Sequence, residues 1–65
     1  MEIGKQIQKY RKEKGLTQDE LARKADLPYT TLAKIESGMV KNPTIMTLVK
    51  IAKILKVKID DLIIE

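Results

Sequence analysis

The chain is 65 residues long, near the lower limit at which one apolar core carries a fold, so residues 1–65 are expected to make a single domain. It contains neither Cys nor His, which removes thiol nucleophiles, imidazole bases, disulfides and zinc sites built on those ligands, and with them most enzyme chemistry. Thirteen Lys and Arg against nine Asp and Glu leave a charge of +4, which suits a polyanionic partner but is also common in ordinary small proteins. The balance of 43% apolar and 34% charged residues is that of a globular protein. No apolar stretch approaches the roughly 20 residues of a membrane span, and Met1-Glu2-Ile3-Gly4-Lys5 opens no signal segment, so a soluble, cytoplasmic protein is the expectation.

Glycine and proline punctuate the chain at Gly15, Pro28, Gly38 and Pro43. Between them the apolar residues recur at helical rather than alternating spacing, which predicts an all-α fold. Ile3, Ile7 and Tyr10 share one face of a first helix that runs to about Lys14 and stops at Gly15, a natural left-handed position. Thr17-Gln18-Asp19-Glu20 reads as a capping box opening a second helix through about Ala25, with Leu21, Ala22 and Ala25 buried. Asp26-Leu27-Pro28 predicts a turn, because the residue before proline is pushed out of the α region; a third helix follows from about Tyr29 to Ser37 and ends at Gly38. After the loop Met39 to Asn42, Pro43-Thr44 opens a fourth helix with Ile45, Leu48, Ile51, Ala52 and Leu55 as its apolar stripe and an end near Lys56. A last turn spans Asp60 to Ile63, with Leu62 and Ile63 to bury. With no Trp, no Phe and two Tyr, the product is a compact five-helix bundle around an aliphatic core.

The run Thr17-Gln18-Asp19-Glu20-Leu21-Ala22, the turn at Asp26, and the run from Leu27-Pro28-Tyr29-Thr30-Thr31 through Leu32-Ala33-Lys34-Ile35-Glu36-Ser37-Gly38 resemble the helix-turn-helix of the phage-repressor (Xre/Cro-like) family, at about residues 17–38. Tyr10-Arg11 and Lys14-Gly15 resemble that family's first helix, and Asn42-Pro43-Thr44 with Leu48 and Lys50-Ile51-Ala52 its fourth. The resemblance thus covers nearly the whole chain. It implies a lambda-repressor-like DNA-binding domain: a sequence-specific double-stranded DNA-binding transcriptional regulator, a repressor by promoter occlusion, working as a homodimer on a palindromic operator. The alternative from another class is a protein-interaction module, an antitoxin-like or antagonist domain that uses the same fold without specific DNA binding.

The residues themselves support a groove-binding reading. Projected at about 100° per residue, the third helix turns Leu32, Ile35 and Glu36 inward and Thr30, Ala33, Lys34 and Ser37 outward. The outer face carries short or flexible side chains and no acid, which suits a major groove about 12 Å wide; a plain solvated face has the same pattern. Lys34 can donate to guanine O6 or N7, Thr30 can use its hydroxyl or methyl, and Ala33 offers apolar contact to a thymine methyl. Tyr29, at the start of the helix, can stack or use its hydroxyl; the alternative is a ring packed on the turn beside Pro28.

By resemblance, Tyr29, Thr30, Ala33 and Lys34 match positions from which relatives read bases, and Gln18 matches a Gln that holds a phosphate at a helix N-terminus; an ordinary exposed first-turn residue is the other reading of Gln18. Thr31, Ser37, Lys41 and Asn42 are the further candidates for backbone contact, although many relatives place a basic residue where Asn42 stands. Arg11 and Glu36 resemble the family's semi-buried salt bridge that fixes the recognition helix. Asp26 stands where relatives often have Gly, a turn position that tends to need positive φ, and Lys56 likewise stands where Gly or Asn is usual. Asp19-Glu20 and Asp60-Asp61 lie in helix first turns, where dipole compensation and capping explain them, so neither a catalytic dyad, a metal site nor a cofactor is expected. Met46, outward on the fourth helix, and Ile64 beyond the fifth are apolar candidates for a subunit contact; ordinary exposed hydrophobic residues are the other reading.

Overall fold

The structure, a computed structural model, describes residues 3–63. Among the described residues it is all helical, with α1 at Ile3–Glu13, α2 at Gln18–Lys24, α3 at Tyr29–Ser37, α4 at Ile45–Leu55 and α5 at Ile59–Ile63. Each boundary has a local cause. Gly15 at φ 70° and Gly38 at φ 89° end α1 and α3 in the left-handed region. The Thr17 hydroxyl accepts from the Glu20 amide at 3.1 Å while the Glu20 carboxylate accepts from the Thr17 amide at 2.9 Å, closing the capping box at the start of α2. Thr44 caps α4 more simply, its hydroxyl accepting from the Thr47 amide at 3.2 Å. Pro28 caps α3 with its backbone alone, in an extended conformation that fixes the direction in which the helix starts.

The helices bury one aliphatic core. Ile3 and Ile7 of α1, Leu21 and Ala22 of α2, Leu32 and Ile35 of α3, four residues of α4 and Leu62 of α5 form it, with Tyr10, Leu16, Leu27, Val57 and Ile63 packed around. Leu48, Ile51, Ala52 and Leu55 are the buried side of α4, but Ile45 is not part of it: at 64% exposure it departs from the expected stripe. The reason is positional. Helical side chains lean toward the N-terminus, so the first residue of α4 overhangs the end of the bundle instead of lying on it. Met46 is equally exposed, and Ile64 lies outside the described residues.

α1 carries a second face that periodicity of apolar residues does not reveal. Gly4, Gln8 and Arg11, at i, i+4 and i+7, all meet α3. A Cβ on Gly4 would collide with the carbonyl oxygen of Ile35 and stand 2.8 Å from that of Glu36, and the Gln8 amide donates to that same Glu36 oxygen at 2.9 Å. Gln6 ties α1 to the other end of the chain by donating to the Asp61 carbonyl at 3.0 Å.

Asp26 and Lys56 both adopt positive φ, 58° and 59°, the conformation in which a Cβ is costly. Lys56 is exposed, so replacing it removes strain without emptying the core. Lys56→Gly is therefore expected to stabilise the protein by about 0.5 to 1 kcal/mol, read as a higher midpoint in urea. Gly4→Ala is expected to do the opposite, by about 1 to 3 kcal/mol, because backbone rather than a flexible side chain stands in the way. A midpoint unchanged by Gly4→Ala would show that α1 and α3 do not approach this closely.

Candidate nucleic-acid interface

The site is built around Glu36. Its position on the inner side of α3 leaves it 4% exposed, and a carboxylate so far from water needs charge and donors. Arg11 supplies both: Nε donates to Oε2 at 2.9 Å and Nη2 to Oε1 at 3.1 Å, a bidentate fork, while Nη1 donates to the Leu16 carbonyl at 2.8 Å. One guanidinium thus fastens α3, α1 and the turn before α2.

Gln18, the first residue of α2, adds a third donor, its Nε2 reaching Glu36 Oε1 at 3.0 Å. Its own Oε1 accepts from the Tyr29 hydroxyl at 3.2 Å. Gln18 is therefore half-buried and held between α2 and α3, not a free first-turn side chain. An amide nitrogen carries two hydrogens, and one of them goes to Glu36. Tyr29 is 50% exposed, with its hydroxyl tethered.

The opposite side of α3 faces solvent. Thr30 and Lys34 are exposed, as the projection requires; Ala33, which it also turns outward, is half-buried, and so is Thr31. Lys41 and Asn42 are exposed in the loop between α3 and α4. Ser37 is also exposed, but its hydroxyl donates to the Lys34 carbonyl at 3.0 Å and accepts from the Met39 amide at 3.3 Å, closing the helix end, so its proton is already in use. Asp19, the acid beside Gln18, pairs with Arg23 at 3.2 Å. Among the described residues no group of acids could hold a metal ion, and no helix is long and apolar enough to cross a membrane.

The α2 start is electrostatically set as well. The Thr17 backbone amide, and then its hydroxyl, hold the Glu20 carboxyl below its ordinary value of 4.5. A lowered folded value means that the cap's contribution is complete above the ordinary glutamate range and is lost as pH falls through the lowered one.

A profile of the Helix-turn-helix family matches residues 7–62, from within α1 to α5. The chain belongs to the helix-turn-helix family. This helix-turn-helix chain is 41% identical over 63 residues to the HTH-type transcriptional regulator SinR of Bacillus subtilis, an alignment that takes in 97% of the chain but 57% of SinR. It spans somewhat more than half the length of that relative. Two solved structures share its fold closely. The N-terminal DNA binding domain of SinR from Bacillus subtilis superposes with a TM-score of 0.94 at 41% identity, covering 97% of this chain and 91% of that one. The crystal structure of SinR in complex with DNA gives 0.93 at 40% identity, covering 95% and 98%. The lambda-repressor-like five-helix fold expected from the sequence is the fold observed.

Stability should depend on the Arg11–Glu36 pair out of proportion to its size. Arg11→Ala strands a buried carboxylate and is expected to cost about 3 kcal/mol, most of what a chain this small holds in reserve. Arg11→Met combined with Glu36→Leu should recover much of that loss, because it removes both charges and keeps the volume. Urea denaturation of the two variants beside the wild type decides it; a loss below about 0.5 kcal/mol for Arg11→Ala would mean that the pair behaves as an ordinary surface bridge.

Proposed function

We propose that this chain is the DNA-binding unit of a sequence-specific transcriptional regulator, a repressor that blocks a promoter by occupying it. The observation that carries the reading is the two-sidedness of α3: its inner side is locked by Glu36, and its outer side is acid-free and open to solvent. Inserted into a major groove, that side brings Lys34 to guanine O6 or N7, Thr30 to a base edge and Ala33 to a thymine methyl, with Tyr29 at the leading end. Gln18 uses its remaining amide hydrogen on a phosphate at the N-terminus of α2, where backbone amides and the helix dipole favour the same ligand. Thr31, Lys41 and Asn42 flank it along the backbone. Such a role belongs to the cytoplasm, with the chromosome.

One recognition helix reads only a few base pairs. Two copies related by a two-fold axis place their α3 helices about 34 Å apart in successive major grooves, so the preferred site is palindromic and the active form a homodimer. Met46, exposed on α4, provides apolar surface for that pairing.

Selection of bound duplexes from a random library, with salt varied, tests the proposal. A palindromic site should be enriched, and log affinity should fall linearly with log salt concentration. Recovery of no preferred sequence would contradict the reading and favour a protein partner instead. Lys34→Ala should lower affinity for the selected site by about 1 to 3 kcal/mol and relax the preference at one base pair; an equal loss on every sequence would assign Lys34 to the backbone. Because the chain has no His, binding should be nearly flat between pH 6 and 8.

A further inference from the structure

The DNA-binding reading leaves open what Tyr29 recognises, and the hydrogen bonds behind it constrain the answer. The chain of constraints begins in the interior. Ionised Glu36 can only accept, and it is shielded from solvent at 1% side-chain exposure, so whatever part of Gln18 lies 3.0 Å from its Oε1 must be the amide nitrogen. An amide oxygen there would face a carboxylate. With the nitrogen fixed inward, Gln18 presents its oxygen to the Tyr29 hydroxyl at 3.2 Å. A phenol has a single proton, and it is given to that oxygen. What remains on the exposed side of Tyr29 is lone pairs.

We infer that Tyr29 acts on DNA as a hydrogen-bond acceptor and selects, on the strand it touches, a base with an exocyclic amino group in the major groove, adenine N6 or cytosine N4. Guanine O6 and N7, thymine O4 and phosphate oxygens offer only acceptors and are disfavoured. Arg11, which touches no DNA in this arrangement, sets the polarity through Glu36 and Gln18. The first two links are part-buried and the last, from Tyr29 to Gln18, is exposed; the shielded carboxylate at their centre fixes the orientation of Gln18 before DNA arrives.

The test uses the site enriched by the wild-type chain and repeats the selection with Tyr29→Phe, an exposed change whose fold is checked by thermal melting. Preference should be lost at one base pair in each half-site, where the wild type chooses adenine or cytosine on one strand. Replacing that adenine by purine, or that cytosine by 2-pyrimidinone, removes the amino group alone. It should weaken wild-type binding roughly 5- to 10-fold and leave Tyr29→Phe unchanged. Gln18→Leu frees the phenolic proton and should shift the choice at that position toward guanine or thymine. Three results would overturn the inference while leaving DNA binding intact: a uniform loss on all sequences for Tyr29→Phe, no change at all, or an equal effect of amino removal on both proteins. Failure of the wild type to enrich any site would instead remove the DNA-binding reading on which the inference rests.

Discussion

A carboxylate taken out of water must be answered from several directions at once, and that requirement organises this protein. Glu36 sits on the inner side of α3, and its oxygens collect Arg11 from α1 and Gln18 from α2, while its backbone carbonyl takes Gln8 from α1. A leucine side chain there would fill similar space. It would not specify the rotation of α3 about its own axis, whereas a bidentate fork and an amide aimed at two oxygens do. Rotation decides which side chains of α3 face solvent, since a turn of one residue exchanges Lys34 for a neighbour.

The same constraint reaches the surface. Gln18 is placed by Glu36 and in turn holds Tyr29, so groups that face solvent at the start of α2 and of α3 are arranged from inside the protein. Rigidity of this kind reduces the ordering that binding must otherwise bring about. It is achieved in a chain with no Trp or Phe and a small aliphatic core, which places much of the orientation on polar links and on the backbone approach allowed by Gly4.

Most of the framework was legible in the sequence because its determinants are local. Thr17 with Glu20, the glycines at 15 and 38, and Pro43-Thr44 act within one turn of the chain, and the inner and outer sides of α3 follow from helical geometry alone. Asp26 and Lys56 take positive φ where the resemblance to phage repressors implies a glycine-like turn. What escaped depends on contacts across the fold or on the ends of elements. The apolar count of α4 includes Ile45, yet its lean carries it past the core. Gly4-Gln8-Arg11 contains no apolar side chain, so its spacing of i, i+4 and i+7 signals a contact face only if small and polar residues are projected too. The partnership of Gln18 with both Glu36 and Tyr29 spans 18 and 11 residues of sequence and has no local signature. Ser37 projects outward as expected, but the use of its proton by the helix end is visible only in the hydrogen bonds.

The account stands on α3 meeting DNA with the side opposite Glu36. Amide and side-chain chemical shifts followed by NMR while a selected duplex is added test this most directly. The largest changes should fall on Gln18 and on Tyr29, Thr30, Ala33 and Lys34, with the signals of Ile7, Ile51 and Leu55 nearly still. Changes concentrated on α1 and α5, with those outward residues of α3 unmoved, would contradict it.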